Sequence, residues 1–204
     1  MEKTALGRRL LLASENRGKL AELRALVEPM GVSVQSQADL GIGSAPEPHE
    51  TFVENALAKA RHGARTSGWP TLADDSGLCC DALGGAPGVR SARYAGEQAS
   101  DEQNNALLVR QLAATGARRA HYHCVVVALR WWGDPEPLIA DGRWDGEIVD
   151  RAQGHGGFGY DPHFWLPALG CTAAMLDADR KNQISHRAVA MRALVALLRE
   201  RWDW

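Results

Sequence analysis

The spacing of hydrophobic positions near the start of the chain changes from strand-like to helical and back. The segment RLLLA, residues 9–13, is a short apolar run typical of a buried strand. Apolar residues then recur at helical spacing, which predicts a helix that Gly31 ends. These residues are Leu20, Leu23, Leu26 and Val27. A second strand, VSVQS at 32–36, completes a strand-helix-strand unit, and open α/β sheets bind ligands at the loop after such a first strand.

Two later segments begin with a capping box, in which a Ser or Thr precedes a helix and a Glu or Gln follows three residues on. The pairs are Thr51 with Glu54 and Ser100 with Gln103. Glycines at the far ends predict helices that run to about Gly68 and to near Gly116. Between these helices TLAD, residues 71–74, predicts a short strand whose end delivers Asp74 and Asp75.

From residue 120 onwards the pattern predicts strands joined by tight turns instead of further strand-helix-strand units. The predicted strands cover residues 120–130, 138–144, 146–150 and 163–166. A last amphipathic helix begins at Ser185 and directs apolar residues such as Leu194 and Leu198 to the core. The whole pattern predicts an α/β fold with a mixed central sheet flanked by helices.

Composition narrows the class of protein. A chain of 204 residues with 45% hydrophobic and 24% charged residues is expected to form one globular domain over 1–204. The net charge of −2 and the absence of a basic run argue against nucleic acid polymers as partners. No apolar run approaches the ~20 residues of a membrane span, so we expect a cytoplasmic protein without membrane contact. The four cysteines lack metal-site spacing and are expected to be reduced.

The loop SENRGK, after the first strand, has a composition that suits phosphate. It places a hydroxyl, an amide, a glycine and an ammonium next to a helix N-terminus, where backbone N–H groups attract anions. It is not a Walker A loop, which would need Gly at position 13 and Ser or Thr at position 20. A polar turn capped by Ser14 explains the segment equally well. The residues concerned are Ser14, Glu15, Asn16, Arg17, Gly18 and Lys19.

Carboxylates supply a candidate metal site. Asp74 and Asp75 are neighbours on a strand, so their side chains point to opposite faces and only one is expected to face a site. With Glu47 and Glu54 upstream, the chain offers enough oxygen ligands for Mg²⁺, which takes one or two carboxylates together with water and phosphate. The capping box already accounts for Glu54 without a metal.

The loop GHGGFGYDP contains the letters G-x-G-x-x-G but does not lead into a helix, which argues against a dinucleotide site. An aromatic ring beside a carboxylate, as in Phe158, Tyr160 and Asp161, can stack on a base and bind its edge. Taken alone, the loop favours a tight turn with core aromatics. Farther on, KNQISHR adds cations at a helix start, where they oppose the helix dipole and therefore suggest an acidic or electron-rich partner.

Two further groups stay without an assigned chemistry. Arg90 and Arg93 either contact phosphates or pin their loop and a dimer by salt bridges, and we favour the second interpretation. Four tryptophans are expected to serve packing or dimer contacts. They are Trp131, Trp132, Trp202 and Trp204.

Five motifs together, in order and spacing, resemble the inosine triphosphate pyrophosphatase family. They are SENRGK, TFVENALAKA, ADDSGLCCDALGGAPGVRSARYAG, GGFGYDP and KNQISHR. The resemblance runs from Leu11 to about Ala190. It departs from the family pattern at Glu15, where we expect a carboxylate that faces solvent, and at Cys79, Cys80 and Met175.

The resemblance implies a two-lobed α/β fold with the site in a cleft, a homodimer, and Mg²⁺-dependent hydrolysis of ITP, dITP or XTP to the monophosphate and pyrophosphate. Ser14 to Lys19 would hold the phosphates, and Glu47 and Asp75 the metal, with Asp75 also the catalytic base. Ser76, Phe158, Gly159, Tyr160, Asp161, Lys181, His186 and Arg187 would bind the substrate, most of them around the base. A nucleotide-binding regulator without hydrolysis, or a pyrophosphatase for other nucleotides, are the alternatives.

Overall fold

A computed structural model describes residues 8–204. Its strands are β1 (Arg8–Leu12), β2 (Val32–Ser36), β3 (Thr71–Cys80), β4 (Arg119–Leu129), β5 (Leu138–Ile148), β6 (Phe164–Leu166) and β7 (Cys171–Thr172). Its helices are α1 (Arg17–Val27), α2 (Phe52–Ser67), α3 (Asp101–Ala113), α4 (Ala178–Ile184) and α5 (His186–Trp202). The strands form one sheet in the order β2-β1-β3-β4-β5-β6-β7. Strand β1 is parallel to β2 and β3, whereas β6 is antiparallel to β5 and β7, which confirms the mixed sheet.

The caps expected from the sequence define the helix ends. The hydroxyl of Thr51 accepts a hydrogen bond from the N–H of Glu54 at the start of α2, and Gly68 ends that helix with a φ of 70°. Ser100 and Gln103 form the complete capping box of α3. That helix ends at Ala113, slightly before the predicted Gly116. These local signals therefore fix where the helices begin and end.

Two strands are longer than their sequence pattern predicts. Strand β3 continues to Cys80, so Asp74 and Asp75 lie within the strand and not at its end. The two segments predicted on either side of Asp145 form the single strand β5. In both strands a glycine allows another segment to approach closely. A Cβ on Gly77 would lie 2.2 Å from the carbonyl oxygen of Gly88, and one on Gly146 would lie 2.5 Å from that of Trp165.

The contacts divide the chain into two compact units. The first contains the residues up to Asp75 together with Val125–Asp141 and Ala190–Trp204, and the second contains Ser76–Cys124 and Gly142–Val189. One apolar cluster of the first unit joins α2 to β3 and β4 through residues such as Ala60, Ala73 and Val127. The core of the second unit includes Tyr122, Phe164 and Leu108. Within residues 8–204 no helix is long and apolar enough to cross a membrane.

Candidate active site

The loop between β1 and α1 is ordered by its own side chains. The hydroxyl of Ser14 accepts from the N–H of Asn16 at 3.2 Å. The Asn16 side chain caps α1 by accepting from the N–H groups of Gly18 at 2.8 Å and Lys19 at 3.2 Å. Ser14 and Asn16 therefore hold the predicted phosphate loop in a fixed shape, and the Lys19 side chain supplies its positive charge.

The Glu15 carboxylate bonds side chains of the segment that follows β2. Its residue is exposed, and its carboxylate accepts from the hydroxyl of Ser44 at 2.9 Å and from the side-chain amide of Gln37 at 3.4 Å. This agrees with the expectation that the unusual carboxylate of the loop is exposed. Its neighbour Arg17 is exposed as well.

Asp74 is a buried partner of Lys19. The Lys19 Nζ atom lies 2.9 Å and 2.8 Å from the two carboxylate oxygens of Asp74, whose side chain is almost completely inaccessible. The ammonium group thereby compensates a charge that would be costly to bury alone. Asp74 therefore fixes the position of the Lys19 ammonium group.

Asp75 belongs to a different ion-pair group in the same unit. Its Oδ1 atom lies 3.0 Å from Nζ of Lys59, and that ammonium also donates to Oε1 of Glu47 at 2.8 Å. The buried amide of Asn55 donates to Oδ2 of Asp75 at 3.3 Å and also bonds the backbone of His49. Asn55 and Lys59 lie four residues apart on α2, so one face of this helix holds Asp75 in place.

The charges of this group shift its proton affinities. Burial opposes the charged form of Lys59, but the carboxylates of Asp75 and Glu47 outweigh it and raise the lysine pKa. Burial raises the pKa of Asp75 and the negative charge of Glu47 adds to this, so the pKa lies above its ordinary value although Lys59 and Asn55 lower it. Asp75 is thus a better proton acceptor than an exposed aspartate.

The predicted metal ligands fit a small divalent cation. Glu47 and Asp75 converge, since both contact one ammonium group within 3.0 Å. Two carboxylates suit Mg²⁺, which completes its shell with water and phosphate oxygens. Within residues 8–204 no group of three or more His, Cys, Asp or Glu side chains has metal-binding geometry. A cation here would depend on ligands brought by a substrate.

The second unit contains the predicted base-binding residues. The carboxylate of Asp161 is buried, forms a salt bridge with Lys181, and accepts from the N–H of Phe158 at 2.8 Å. The Tyr122 hydroxyl lies 3.4 Å from Oδ1, the other carboxylate oxygen of Asp161. Burial and the Asp161 charge raise the pKa of Tyr122 well above its ordinary value, so the phenol stays a donor. Asp161 therefore connects the loop that contains Phe158 to Lys181.

Phe158 is the exposed aromatic ring of this loop. Its side chain is 56% exposed, and Lys181 Nζ lies 4.5 Å and Arg187 Cζ 5.9 Å from its ring centroid. Tyr160 differs, because its ring is buried and its hydroxyl donates to the carbonyl of Ser91 at 2.8 Å. The Tyr160 side chain belongs to the core, which leaves Phe158 as the ring available for stacking on a base.

His186 and Arg187 are held at the start of α5. The His186 ring stacks on Tyr122 with 4.7 Å between centroids and an interplanar angle of 9°, and Trp144 stacks 6.5 Å away. Arg187 is buried and donates to the hydroxyl of Ser76 at 3.2 Å. Ser76 directly follows Asp75 in the chain, so the arginine contacts the neighbour of the catalytic candidate.

The sequence did not assign Asn55 or Lys59 to a role, although both hold Asp75. Their spacing of four residues on a capped helix was visible, but nothing in the chain before β3 indicates which strand residue such a face will meet. The Nε atom of Arg93 lies 3.6 Å from Oε1 of Glu97, and this ion pair supports a structural role for Arg93 within its own loop. The remaining predicted site residues lie in the loop from Ser14 to Lys19 or beside Phe158, where the backbone of Gly159 bonds residues of α3.

The fold and its residues define a mixed α/β protein with one group of carboxylates and lysines and one group of aromatic and basic side chains. The sequence profile of the Ham1 family matches residues 10–197, and the chain belongs to this family.

Similar proteins agree with that assignment over nearly their whole length. The dITP/XTP pyrophosphatase of Ralstonia nicotianae is 60% identical over 195 residues, which cover 94% of this chain and 97% of that protein. The dITP/XTP pyrophosphatase of Chromobacterium violaceum is 58% identical over 190 residues, covering 93% and 96%. A HAM1 protein structure from Coxiella burnetii has a TM-score of 0.91 at 44% identity and covers 95% of this chain and 99% of that one.

Proposed function

We propose that this protein hydrolyses non-standard purine nucleoside triphosphates, namely ITP, dITP and XTP, to the nucleoside monophosphate and pyrophosphate. The observation that carries the proposal is Asp75, a carboxylate of raised pKa that Lys59 and Asn55 hold beside a second carboxylate, Glu47. The similar proteins named dITP/XTP pyrophosphatase support the substrate class. The reaction removes deaminated purines from the nucleotide pool.

The first group is suited to the triphosphate. Lys19 supplies a positive charge, and the ordered loop from Ser14 to Lys19 lies at a helix N-terminus, where anions are favoured. Glu47 and Asp75 would hold Mg²⁺. When bound, this ion neutralises phosphate charge and lowers the pKa of a coordinated water. The protein itself contributes the fixed positions of these carboxylates and lysines, which is most of what phosphoryl transfer requires.

Asp75 acts as the base in this proposal. It accepts a proton from the water whose oxygen bonds to the α-phosphorus, while the bond from this phosphorus to the bridging oxygen breaks and pyrophosphate leaves. Lys59 and Asn55 orient the Asp75 carboxylate. Asp74 holds the Lys19 ammonium group in place, and this ammonium supplies a positive charge for the phosphates.

The second group is suited to the purine. Phe158 would stack on the base, while donors such as Lys181, His186 or Arg187 would bind the keto oxygen at its six position. Asp161 and the backbone of Gly159 complete this part of the site, and Ser76 contacts the substrate next to Asp75. Adenine has an amino donor at the six position, so each buried donor left unpaired would cost about 1 to 3 kcal/mol against ATP.

Two further proposals rest on the resemblance and the composition. We propose that the protein forms a homodimer, which light scattering of the purified chain would test. We also propose that it works in the cytoplasm, where nucleotides are made and used.

The test is to incubate the protein with Mg²⁺ and ITP and to identify the products by anion-exchange chromatography. IMP with pyrophosphate supports the proposal, whereas IDP with phosphate, or no turnover, contradicts it. A panel of dITP, XTP, GTP, ATP and a modified pyrimidine triphosphate then tests the substrate class. Omission of Mg²⁺, or its replacement by a chelator, should abolish turnover.

A further inference from the structure

The peptide next to Phe158 is held on both sides by one face of helix α3. The N–H of Gly159 donates to Oδ2 of Asp101 at 2.6 Å. The carbonyl oxygen of Gly159 accepts from Nδ2 of Asn105 at 2.8 Å, and the same amide donates to the backbone carbonyl of Asp101 at 2.8 Å. Asp101 and Asn105 lie four residues apart, so both face the loop together.

Packing alone does not fix this loop. Phe158 is more than half exposed, and a cavity of about 670 Å³ lined by α3 and by residues of this loop lies beside it. Gly157 and Gly159 have φ values of 75° and 60°, and a chain with such glycines has wide conformational freedom when it is not tied down. The two hydrogen bonds to α3 therefore restrict a segment that apolar contacts leave free.

The contact with Asp101 has the character of a strong hydrogen bond, because a carboxylate accepts it. It acts on the N–H of the residue that follows Phe158, while Asp161 accepts from the N–H of Phe158 itself. Consecutive N–H groups are thus bound by two carboxylates, that of Asp101 on α3 and that of Asp161 in the loop itself. The backbone on both sides of the Phe158 Cα atom is fixed, and with it the point and direction from which the exposed side chain extends.

We infer that Asp101 and Asn105 are positioning residues, which set the base-stacking ring of Phe158 through Gly159 without touching the substrate. The inference rests on the proposed function, since it gives α3 a part in binding the purine end of the nucleotide. In terms of binding energy, α3 removes conformational freedom from the loop before the substrate arrives, so that less must be lost on binding.

Helix α3 offers a matched control. Asp101 and Glu102 are both acidic residues of its first turn, so both interact favourably with the helix dipole. Only Asp101 bonds Gly159. Glu102 also bonds the N-cap residue Ser100, so Glu102→Ala removes at least as much helix-end stabilisation as Asp101→Ala. A larger effect of Asp101→Ala therefore isolates the loop contact. Asp101→Asn retains an oxygen that can accept the same N–H group, and Asn105→Asp removes the donor to the Gly159 carbonyl.

Two measurements on the full-length variants test the inference. In steady-state hydrolysis of ITP, Asp101→Ala and Asn105→Asp should raise KM about tenfold with kcat changed less than about twofold. Glu102→Ala should retain the wild-type KM, and Asp101→Asn should recover most of it. Amide hydrogen exchange of the peptide that contains Gly159 should be faster in Asp101→Ala than in Glu102→Ala, which does not depend on catalysis.

The inference is overturned if Asp101→Ala matches Glu102→Ala in both KM and exchange. It is also overturned if the exchange rates differ but the KM values do not, because the contact would then be structural only. Failure of the proposed function has a different signature. In that case the wild-type protein would not convert ITP to IMP, and the positioning role would be lost with the substrate.

Discussion

Asp74 and Asp75 are adjacent in one strand, yet each carboxylate binds a lysine from a different helix. Lys19 of α1 contacts Asp74, and Lys59 of α2 contacts Asp75. Alternation of side chains along a strand explains how two neighbours can have separate partners. It also gives them separate roles, because only Asp75 shares its lysine with another carboxylate, Glu47.

The substitution Asp75→Asn should lower kcat for ITP by about 10³-fold or more, since it removes the general base and a metal ligand while keeping the shape of the side chain. The amide can still contact Lys59, so we expect the protein to remain folded. Turnover and thermal unfolding of the purified variant measure these two effects separately.

Asp141→Asn is a suitable control, because Asp141 is an exposed carboxylate on β5. It should leave both kcat and the melting temperature unchanged. Rates near those of the wild type in the Asp75 variant would show that this carboxylate is not the base.

At the scale of single elements, a glycine and an aspartate define two features that the hydrophobic pattern does not predict. These are the packing of β3 against the segment after Pro87 and the turn between β4 and β5. Strand β3 passes so close to the segment after Pro87 that the Ser91 hydroxyl donates to the carbonyl of Gly88 at 2.6 Å and accepts from the N–H of Leu78 at 2.9 Å. The turn between β4 and β5 is organised around the buried carboxylate of Asp134.

Gly77→Ala should destabilise the protein by about 1 to 3 kcal/mol, because the new methyl group would overlap the backbone of Gly88 and displace Ser91. Chemical denaturation at equilibrium measures the loss. Gly43→Ala is the matched control, since a Cβ there meets no atom within 4 Å. Equal stability of the two variants would mean that the segment around Gly88 can move aside at little cost.

The Asp134 carboxylate accepts from the N–H groups of Arg130 and Glu136 and from the guanidinium of Arg130. The Arg130 side chain lowers the pKa of Asp134 most, with help from these N–H groups, from 3.8 to about 2. A lowered folded pKa means that the ionised form stabilises the fold. This stabilisation is present above the unfolded pKa and is lost as the pH falls through the folded value.

Asp134→Asn should therefore lower the free energy of unfolding by about 1 to 2 kcal/mol at neutral pH, with the charge contribution reduced because Arg130 is partly exposed. The difference from the wild type should shrink below pH 3.8 and nearly vanish only once the pH lies below about 2. Urea unfolding at several pH values measures it. A difference that is independent of pH would assign the effect to packing instead of charge.

At the scale of the whole molecule, each unit holds a different set of predicted site residues. The carboxylates and lysines belong to the first unit, whereas the aromatic ring and its basic neighbours belong to the second. If triphosphate and base bind these two sets, then ligands that represent the two ends of the nucleotide should respond to different substitutions.

Phe158→Ala should weaken IMP binding about tenfold, as stacking on an aromatic ring contributes about 1 to 3 kcal/mol, and should leave binding of Mg²⁺ with pyrophosphate unchanged. Lys19→Gln should weaken the binding of Mg²⁺ with pyrophosphate and leave IMP binding unchanged, and the glutamine amide can still donate to Asp74. Ligand-induced increases in melting temperature report both affinities, because a ligand that binds only the folded protein stabilises it by mass action. Equal losses for both ligands in both variants would contradict the division of roles.

The sequence predicted α1, α2, α3, α5 and the mixed sheet, because caps and apolar periods are local signals, but it did not predict the short helix α4. The members of the two site groups were named from motif letters and stay predictions. The sequence did not predict the length of β3 or β5, since a glycine suggests a turn until its neighbouring segment is known. It gave no role to Lys59 or Asn55, whose importance lies in meeting a strand that comes later in the chain. The part of Asp101 and Asn105 was hidden for the same reason.

The lysine shared by Glu47 and Asp75 also bears on when a cation can bind. With both acids ionised and Lys59 protonated, this trio carries a single negative charge, so its attraction for a free divalent ion is modest. A nucleotide triphosphate carries several negative charges and holds such an ion tightly. We therefore expect the metal to enter as the counterion of its substrate. The protein without nucleotide should bind Mg²⁺ only weakly, and the metal site should fill only when the molecule to be cleaved binds.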